Sequence, residues 1–537
     1  MRLSTSFFHL LFFSTVYVNG YRSPALPEAR DPVNTSANME GNIETLCQSL
    51  NLSAADTQTI TNKFGTASTN KNHLDVACTV AEFAVGKEQV ISPTNKTVVG
   101  ENWSLACVAE PHCIIQPRDA QEVSKTIKII KHLNIRFAIR SGGHSPNPGW
   151  SSIGDAGILV DLQRLNQISL SDDKKVASLG PGGRWGEVID TLDAQGATIV
   201  GGRSPIVGVG GLILGGLFHV SGEFGLAADN VKNFEIVLSD GTITDANSEK
   251  NSDLFWALKG GGPNFGIVTR FDLHTVPVRA VWYYVLAYSP DQASEVIDTM
   301  VKFQKEGGST DVKSTVGLVM GLDTIVALLV YGAPQEFPSA FQPFYDLQPS
   351  QVVVPPTVGT FTSLTEVFRA LATVDPLRHD YRGTSVRIDA QLDKEVYEFW
   401  RERAVAVRDA TGANQTFAIQ PIPANIAAQG IAKGGNPMGI PQEDHQWWTT
   451  LVDWKNAKDD DLVRSVSIET TEQWKKLGQP RNLFLDYIYS NDASRDQNPL
   501  ASYGAENIKK LKEIALKYDA IQLFQRQQNS GFLLSKT

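Results

Sequence analysis

The chain has 537 residues, of which 42% are hydrophobic and 20% are charged, and its formal net charge is −10. This composition is typical of a soluble globular protein, and the length exceeds what a single hydrophobic core supports. The negative charge argues against nucleic acid or an anionic membrane as a partner.

The first twenty residues predict a secretory signal peptide that is not part of the fold. A basic start is followed by the apolar stretch 7–18, which is too short to span a membrane, and cleavage is expected before Tyr21. We therefore expect a secreted protein, or one in the lumen of the secretory pathway, that carries N-glycans. Five sequons mark the candidate glycosylation sites: Asn34, Asn51, Asn95, Asn102 and Asn414.

Four cysteines lie close together near the start of the mature chain: Cys47, Cys78, Cys107 and Cys113. An even, clustered count in an oxidising compartment predicts two disulfides that staple the N-terminal region, and three pairings are possible. Free buried thiols are the alternative.

Residues 21–106 are weakly periodic and predict a lead-in of short helices. Regular structure begins with a strand at 113–117. A helix follows, with Asp119 as its N-cap and apolar residues at helical spacing from Ala120, and a second strand is expected at 135–139. This order predicts a parallel pair with a right-handed crossover.

A second strand–helix unit of this kind is expected from Val176, with its helix at 185–192. Asp240-Gly241 then lies between two β-prone runs, 234–238 and 242–244, which is a strong hairpin signal.

The segment after Val278 alternates between strands and helices and predicts an antiparallel sheet with helices. Proline-rich stretches at 337–356 and 421–441 are interpreted as loops, and the tail carries a helix at 506–517. The expected strands are 282–287, 316–320 and 324–330, and the expected helices are 292–303 and 394–408.

The most informative motif follows the strand at 135–139 and reads Arg140-Ser141-Gly142-Gly143-His144-Ser145. Its glycines permit a tight turn and a close approach to a ligand. The histidine offers a nucleophile or a hydrogen-bond donor. An ordinary Gly-Gly turn beside a hydrogen-bonded histidine is the alternative.

Three more glycine-rich segments follow, at 201–216, 225–231 and 253–269. Successive backbone N–H groups without side-chain crowding form a concavity that suits a pyrophosphate. The dinucleotide-binding pattern G-x-G-x-x-G is not met, because Ile213 stands where the third glycine belongs, and the Walker A pattern is absent.

In this order, the four segments resemble the FAD-linked oxidases with a PCMH-type (vanillyl-alcohol-oxidase-type) FAD-binding domain, in particular the berberine-bridge-enzyme-like branch. The resemblance implies an α+β fold, with a two-part PCMH-type FAD-binding domain and an α+β substrate domain whose antiparallel sheet is covered by helices. It assigns 21–106 and 107–278 to the FAD-binding domain, 279–480 to the substrate-binding domain, and 481–537 to a segment that returns to the FAD-binding domain.

The resemblance also implies that FAD is bound covalently to His144 through the flavin 8α-methyl group. Relatives often have a second tether, a cysteine, where this chain has Ser204, so a single covalent link is expected. Val207 is small enough to be compatible with access of oxygen to the reduced flavin, although ordinary packing also explains it. The residues expected to contact the cofactor are Arg140, Ser141, Gly142, Gly143, His144, Ser145, Ser204, Val207, Gly208, Gly210, Gly211, Gly215, Asp229, Asn230, Gly266, Ile267 and Val268.

For the disulfides, the resemblance favours Cys47 with Cys113, which leaves Cys78 for Cys107. No histidine spacing typical of a metal site is present among the nine histidines, so no metal is expected.

The tail segment 486–492 resembles the family's C-terminal motif near the flavin. Tyr487 or Tyr489 is then the candidate catalytic base, and Asn491 is expected to bind the flavin or the substrate. A phenol needs a positive neighbour or the flavin dipole to act as a base, and packing of alternating tyrosines explains the pattern equally well. His445 could replace the glutamate base of some relatives, although a surface position is favoured for it.

These expectations combine into a secreted FAD-dependent oxidoreductase that transfers a hydride from a small alcohol, amine, carbohydrate or secondary metabolite to flavin N5, with reoxidation by oxygen to hydrogen peroxide. One alternative is a flavin-dependent dehydrogenase or cyclase of a secondary-metabolite pathway that uses another acceptor. A flavin-binding glycoprotein without turnover is the other.

Overall fold

The computed structural model describes residues 43–65, 73–308, 310–371 and 376–537. The predicted signal peptide, its cleavage site and the sequon at Asn34 lie outside these residues. Within the described ranges, no helix combines the length and the apolar character needed to cross a membrane.

Short helices make up most of the regular structure between residues 43 and 106, as the sequence predicts. The side chain of Ser53 caps the second of them by accepting a hydrogen bond from the backbone N–H of Asp56. The bounds are α1 Ile43–Ser49, α2 Ala54–Phe64, α3 His73–Val85 and α4 Lys96–Val99.

The first sheet contains β1 Val90–Ile91, β2 Cys113–Ile115, β3 Arg136–Arg140 and β4 Gly157–Asp161 in the order β1-β2-β4-β3. Helix α5, Ala120–Leu133, connects β2 to β3, and Asp119 caps it as predicted. Both β2 and β3 are parallel to β4. Their predicted pairing with each other is wrong, because β4 lies between them.

The second sheet is antiparallel throughout, in the order β5-β6-β9-β7-β8. The predicted hairpin is confirmed as β7 and β8. The predicted second parallel unit is wrong, because β6 pairs antiparallel with β5 and β9. The elements are β5 Ile168–Leu170, β6 Val176–Leu179, α6 Trp185–Ala194, α7 Val209–Leu212, α8 Ser221–Phe224, β7 Val231–Val237, β8 Ile243–Asn247, α9 Ser252–Leu258 and β9 Ile267–His274.

The third sheet is also antiparallel and, among the described residues, has nine strands in the order β13-β10-β12-β11-β16-β17-β14-β18, with β15 paired to β17. The elements are β10 Val281–Tyr288, α10 Ala293–Phe303, β11 Ser314–Met320, β12 Ile325–Tyr331, α11 Gln342–Asp346, β13 Gln351–Gly359, α12 Phe361–Leu371, β14 Arg378–Arg387, α13 Ala390–Thr411, β15 Asn414–Gln415, β16 Phe417–Ile422, α14 Ala424–Ala432, β17 His445–Trp454, α15 Asp460–Gly478 and β18 Phe484–Leu485.

Helices α10, α13 and α15 cover one face of the third sheet through a shared apolar core, which confirms the predicted α+β fold. The interpretation of the two proline-rich stretches as loops is wrong in part. The first contains α11 and the start of β13, which tolerates prolines because it is an edge strand. The second contains the end of β16 and all of α14.

Strand alternation decides which residues of the third sheet face the first two sheets. On β17, Trp448, Val452 and Trp454 enter the core under the helices. Successive side chains of a strand point to opposite faces, so Trp447 and Asp453 point away from those helices. This face of β14, β16 and β17, on the side of the first two sheets, is called the inner face below.

The C-terminal segment packs against the second sheet. Its helices are α16 Ala505–Tyr518 and α17 Leu523–Arg526. The ammonium group of Lys517 pairs with Asp253 at 2.6 Å, and Asn264 donates to the carbonyl of Phe532 at 2.9 Å. The chain end therefore lies against the glycine-rich segment 253–269.

The disulfide pairing implied by the resemblance is wrong. Cys78 of α3 forms a disulfide with Cys113 of β2, because α3 packs beside this strand. The Cα atoms of the two cysteines lie 6.3 Å apart. Cys47 and Cys107 are free and buried. Cys107 instead points at the carbonyl of Ser145, with 3.3 Å between sulfur and oxygen.

The four sequons within the described residues differ in how far their asparagines are exposed. Asn51 and Asn95 are exposed and Asn414 is half-buried. Asn102 is buried, and its amide oxygen accepts a hydrogen bond from Ser151 at 2.9 Å. Asn102 therefore has no room for a glycan in the folded protein, and the predicted glycosylation at this residue is wrong.

We expect Asp393→Asn to stabilise the protein increasingly as the pH rises. Burial raises the pKa of Asp393 well above its usual value, although Gln446 donates to it at 2.5 Å. A carboxyl with a raised folded-state pKa contributes full stability below its unfolded pKa and loses it as the pH rises. The variant should exceed the parent by about 1 kcal/mol or more near neutral pH.

Urea unfolding at several pH values from about pH 4 to about pH 8 measures this difference. A difference between variant and parent that stays constant across that range would contradict the prediction.

Candidate active site

The Gly-Gly-His loop leaves the end of β3 and packs against the loop that precedes α7. A Cβ atom at Gly142 would overlap the Cα of Gly208 and lie 2.7 Å from its nitrogen. Ser141 links this junction to the loop between β6 and α6, because its hydroxyl accepts from the N–H of Gly210 at 3.2 Å and donates to the carbonyl of Pro181. The first two glycine-rich segments are thus in direct contact.

Unpaired donors mark this junction. The N–H groups of Gly142, Gly143 and His144 form no hydrogen bond with the residues that the structure describes, and both glycines are buried. Arg140 is buried too. Its Nη2 pairs with Asp161 at 2.9 Å, while its Nη1 has no partner within the described ranges. Buried orphan donors are rare, and an anion satisfies them. The donor set therefore fits the pyrophosphate of FAD.

The start of α6 holds the loop that contains Ser204 and Val207. The N–H of Trp185 donates to the carbonyl of Val207 at 3.0 Å, and the guanidinium of Arg184 donates to the carbonyl of Gly142. Ser204 and Val207 are half-buried and lie on the segment that contacts the Gly-Gly-His loop.

His144 is stacked on Trp103, with ring centroids 4.1 Å apart and an interplanar angle of 10°. Burial, with the positive charge of Arg184 as a smaller cause, lowers the pKa of His144 to about 3. The imidazole is therefore neutral at physiological pH and keeps a lone pair for bond formation. Ser145 follows and accepts from the N–H of Asn147 at 3.3 Å, which shapes the end of the loop.

Tyr489 reaches the glycine-rich loop from the C-terminal segment. Its hydroxyl oxygen accepts two hydrogen bonds, from the N–H of Gly216 at 2.8 Å and of Leu217 at 3.1 Å. Its ring stacks on Trp447 of the inner face at 4.2 Å. Burial raises the pKa of Tyr489, and the two backbone N–H groups oppose this rise.

Tyr487 and Asn491 have different surroundings. Burial raises the pKa of Tyr487 well above its usual value, and its hydroxyl has no partner among the described residues. Asn491 donates to the carbonyl of Leu212 at 3.1 Å, and its amide oxygen would lie 2.8 Å from a Cβ at Gly215. Both tyrosines lie in the irregular segment that follows β18.

A polar chain that the sequence analysis missed crosses from the glycine-rich loop to the inner face. Arg203 donates to Gln420 of β16 at 2.6 Å, and Gln420 donates to Asp492 at 2.9 Å. Burial raises the pKa of Asp492, and the positive charge of Arg203 opposes this rise. The sequence carried one signal for this chain of polar groups. Side chains alternate along β16, so Gln420 and the core residue Ile419 lie on opposite faces.

Asp229, Asn230 and the segment 266–268 lie outside the junction. Asp229 accepts from Asn436 at 2.8 Å, and Asn230 accepts from Lys433 at 2.8 Å, so these side chains hold the end of α14. Ile267 and Val268 begin β9 and pair with β7, and Gly266 precedes the strand. Their contact with the cofactor stays a prediction.

His445 is buried, so its predicted surface position is wrong. Its Nδ1 hydrogen-bonds the carbonyl of Glu443 at 2.7 Å, and its Nε2 accepts from Trp447 at 3.1 Å. Burial lowers the pKa of His445 to about 4. Across the described residues, no group of three His, Cys, Asp or Glu side chains could hold a metal ion.

A void of about 20 Å³ lies between the segment 217–222 and the third sheet with its helices. Its lining combines the hydroxyl groups of Ser221, Ser314 and Thr315 with the apolar side chains of Leu217, Phe218, Phe303, Pro421, Pro423 and Ile426. A void of this size holds about one water molecule and is too small for a substrate.

We expect Gly142→Ala to reduce flavin content and stability, because the new methyl group forces the backbones of residues 142 and 208 apart. Overpacking of this kind costs about 1–3 kcal/mol. The flavin-to-protein absorbance ratio and the melting temperature measure both effects. Gly154→Ala is the matched control, since its Cβ would meet nothing within 4 Å. A yellow Gly142→Ala protein with unchanged melting would contradict the close contact.

The chain is similar in sequence to named flavoenzymes. The FAD binding domain family matches residues 111–247. A FAD-dependent monooxygenase of Arthrobotrys oligospora is 38% identical over 463 residues, which are 86% of this chain and 90% of that protein. The bifunctional solanapyrone synthase of Alternaria solani is 32% identical over 469 residues, which are 86% and 89% of the two chains.

Solved structures share the fold at lower identity. Berberine bridge enzyme from Eschscholzia californica superposes with a TM-score of 0.70 at 18% identity, over 85% of this chain and 98% of that one. Xylooligosaccharide oxidase from Myceliophthora thermophila gives 0.71 at 20% identity, over 85% and 99%. With the junction of glycine-rich loops described above, the sequence relatives show that the chain belongs to the family of FAD-dependent oxidoreductases with this FAD-binding domain, and the solved structures show that it shares the fold of berberine bridge enzyme.

Proposed function

We propose that this FAD-dependent oxidoreductase is an oxidase of small organic molecules, with FAD bound covalently at His144. One observation carries the proposal: the Gly-Gly-His loop, the glycine-rich loop and Tyr489 converge on the inner face of the third sheet. Bound flavin supplies the acceptor for the substrate hydride and passes the electrons to oxygen, which becomes hydrogen peroxide. The protein supplies binding, orientation and a proton acceptor.

The neutral imidazole of His144 supports the covalent link. In the net attachment reaction, an N–C bond replaces the N–H bond of His144 and one C–H bond of the flavin 8α-methyl group. Oxygen takes up the two protons and two electrons as hydrogen peroxide. A protonated imidazole has no lone pair for this bond, and the low pKa of His144 keeps it unprotonated. Ser204 in place of a cysteine limits attachment to one bond.

Tyr489 is the base that the geometry favours over Tyr487. Hydrogen bonds donated to a phenolate oxygen stabilise the charged form, and Tyr489 accepts two from Gly216 and Leu217. Tyr487 has no such donors in the described residues. The two N–H groups thus act for Tyr489 as an oxyanion site, which lets it accept a proton from the substrate hydroxyl or amine.

Oxygen insertion is the second candidate reaction, because the relative from Arthrobotrys oligospora is named a monooxygenase. One peroxide released per substrate oxidised indicates an oxidase, and incorporation of labelled oxygen indicates a monooxygenase.

Secretion is also proposed. The basic and apolar start of the chain, the exposed sequons Asn51 and Asn95, and the disulfide between Cys78 and Cys113 all suit an oxidising, glycosylating compartment.

Acid precipitation of the purified protein tests the covalent link. We expect flavin fluorescence to remain with the wild-type pellet and to move to the supernatant in His144→Ala, because this variant lacks the imidazole nitrogen that forms the proposed bond. Flavin released from the wild-type protein would contradict covalent attachment. A protein that neither contains nor takes up flavin would contradict the proposed function as a whole.

We expect Tyr489→Phe to slow anaerobic reduction of the bound flavin by substrate about 10²–10⁴-fold, the usual contribution of a general base. Stopped-flow absorbance measures this rate. Tyr487→Phe is the matched control, because it removes a buried hydroxyl from the same segment and the same stack on Trp447. Equal losses in the two variants would assign both tyrosines to packing.

A further inference from the structure

The segment 103–104 connects the Gly-Gly-His loop to the third sheet. The N–H of Trp103 donates to the carbonyl of Gly143 at 2.9 Å. The hydroxyl of the next residue, Ser104, accepts from the N–H of His379 on β14 at 2.9 Å. Trp103 is therefore held on one side by the residue before His144, and on the other by a strand of the inner face.

The indole of Trp103 lies between two imidazoles. His144 stacks on it at 4.1 Å, and His379 stacks at 3.8 Å with an interplanar angle of 4°. The three rings are nearly parallel. Tyr381, two residues further along β14, adds a contact with the same indole at 5.2 Å. This arrangement fixes the plane in which the imidazole of His144 lies.

Asp453 fixes the outer ring of the stack. Its carboxylate lies 2.5 Å from Nδ1 of His379, and both residues are about 5% exposed. They face each other directly across β14 and β17 in the register of the third sheet. A carboxylate at Nδ1 sets the rotation and the tautomer of a histidine ring. The ring of His379 therefore presents a fixed flat surface to Trp103.

We propose that His379 and Asp453 are positioning residues that act through Trp103 to orient His144 for its bond to the flavin. The reacting lone pair of an imidazole lies in the plane of its ring, so the ring plane decides whether the nitrogen faces the 8α-carbon. His379 and Asp453 lie on the far side of the indole and do not contact His144. The inference rests on the covalent link of the proposed function.

The test measures two quantities in the full-length protein: total bound flavin, and the fraction that stays with the protein after acid precipitation. We expect His379→Ala, Asp453→Leu and Trp103→Ala to keep bound flavin but to lower the acid-stable fraction, sampled at a fixed early time after expression, about tenfold. Trp103→Phe retains a flat ring and should restore most of it.

Asp460→Asn is the matched control. It breaks the ion pair between Asp460 and Arg378, the residue before His379. The side chain of Arg378 points to the face of β14 opposite His379, so the acid-stable fraction should not change. A melting curve for each variant confirms folding, and Trp103→Phe answers the question where an alanine variant fails to fold.

Three results would overturn the inference. The first is wild-type attachment in His379→Ala. The second is loss of total flavin together with the acid-stable fraction in every stack variant, Trp103→Phe included, which indicates a purely structural stack. The third is a wild-type protein whose flavin is bound but not covalent. Only the third result also contradicts the covalent link of the proposed function. In each case, reduction of the wild-type protein's flavin by the substrate would show that the oxidoreductase function still holds.

Discussion

The approach of the Gly142 and Gly208 backbones is the constraint on which the rest of the site depends. Because a Cβ at either glycine would overlap the other residue, the loops can meet only where both side chains are absent. Their meeting places His144 beside Trp103 and brings the segment 208–217 under Tyr489. Sequence positions that are far apart thus become neighbours through a contact that involves backbone alone.

Burial then sets the chemistry of each group at this junction. It lowers the pKa of His144, which leaves a neutral nucleophile, and it raises the pKa of Tyr489, which opposes its use as a base. The same burial strengthens the two N–H donors to Tyr489, since hydrogen bonds gain strength where water is excluded. The backbone of Gly216 and Leu217 therefore offsets part of the cost that desolvation imposes on the phenolate.

Local patterns in the sequence predicted what depends on local interactions. The N-cap of α5 at Asp119 and the hairpin around Asp240-Gly241 are properties of a few adjacent residues, and both are confirmed. The glycine-rich segments identified the cofactor because several motifs had to occur in one order. Pairing of β2 with β3 and the disulfide partners of Cys113 were wrong, since each depends on which distant element occupies a neighbouring position.

The inner face shows why the remainder of the site escaped the sequence analysis. Gln420, His379 and Asp453 lie on three strands whose order in the sheet differs from their order in the chain. Alternation along each strand assigns them to the face opposite the helix-covered core. Only the strand register shows that His379 lies opposite Asp453 and that Gln420 lies opposite Trp447. A polar residue between two buried apolar residues, as Asp453 is between Val452 and Trp454, therefore indicates a functional site only once the strand pairing is known. In this fold, the residues of the third sheet that surround Trp103 and His144 are specified by pairing between strands, whereas His144 itself is specified by a contiguous motif.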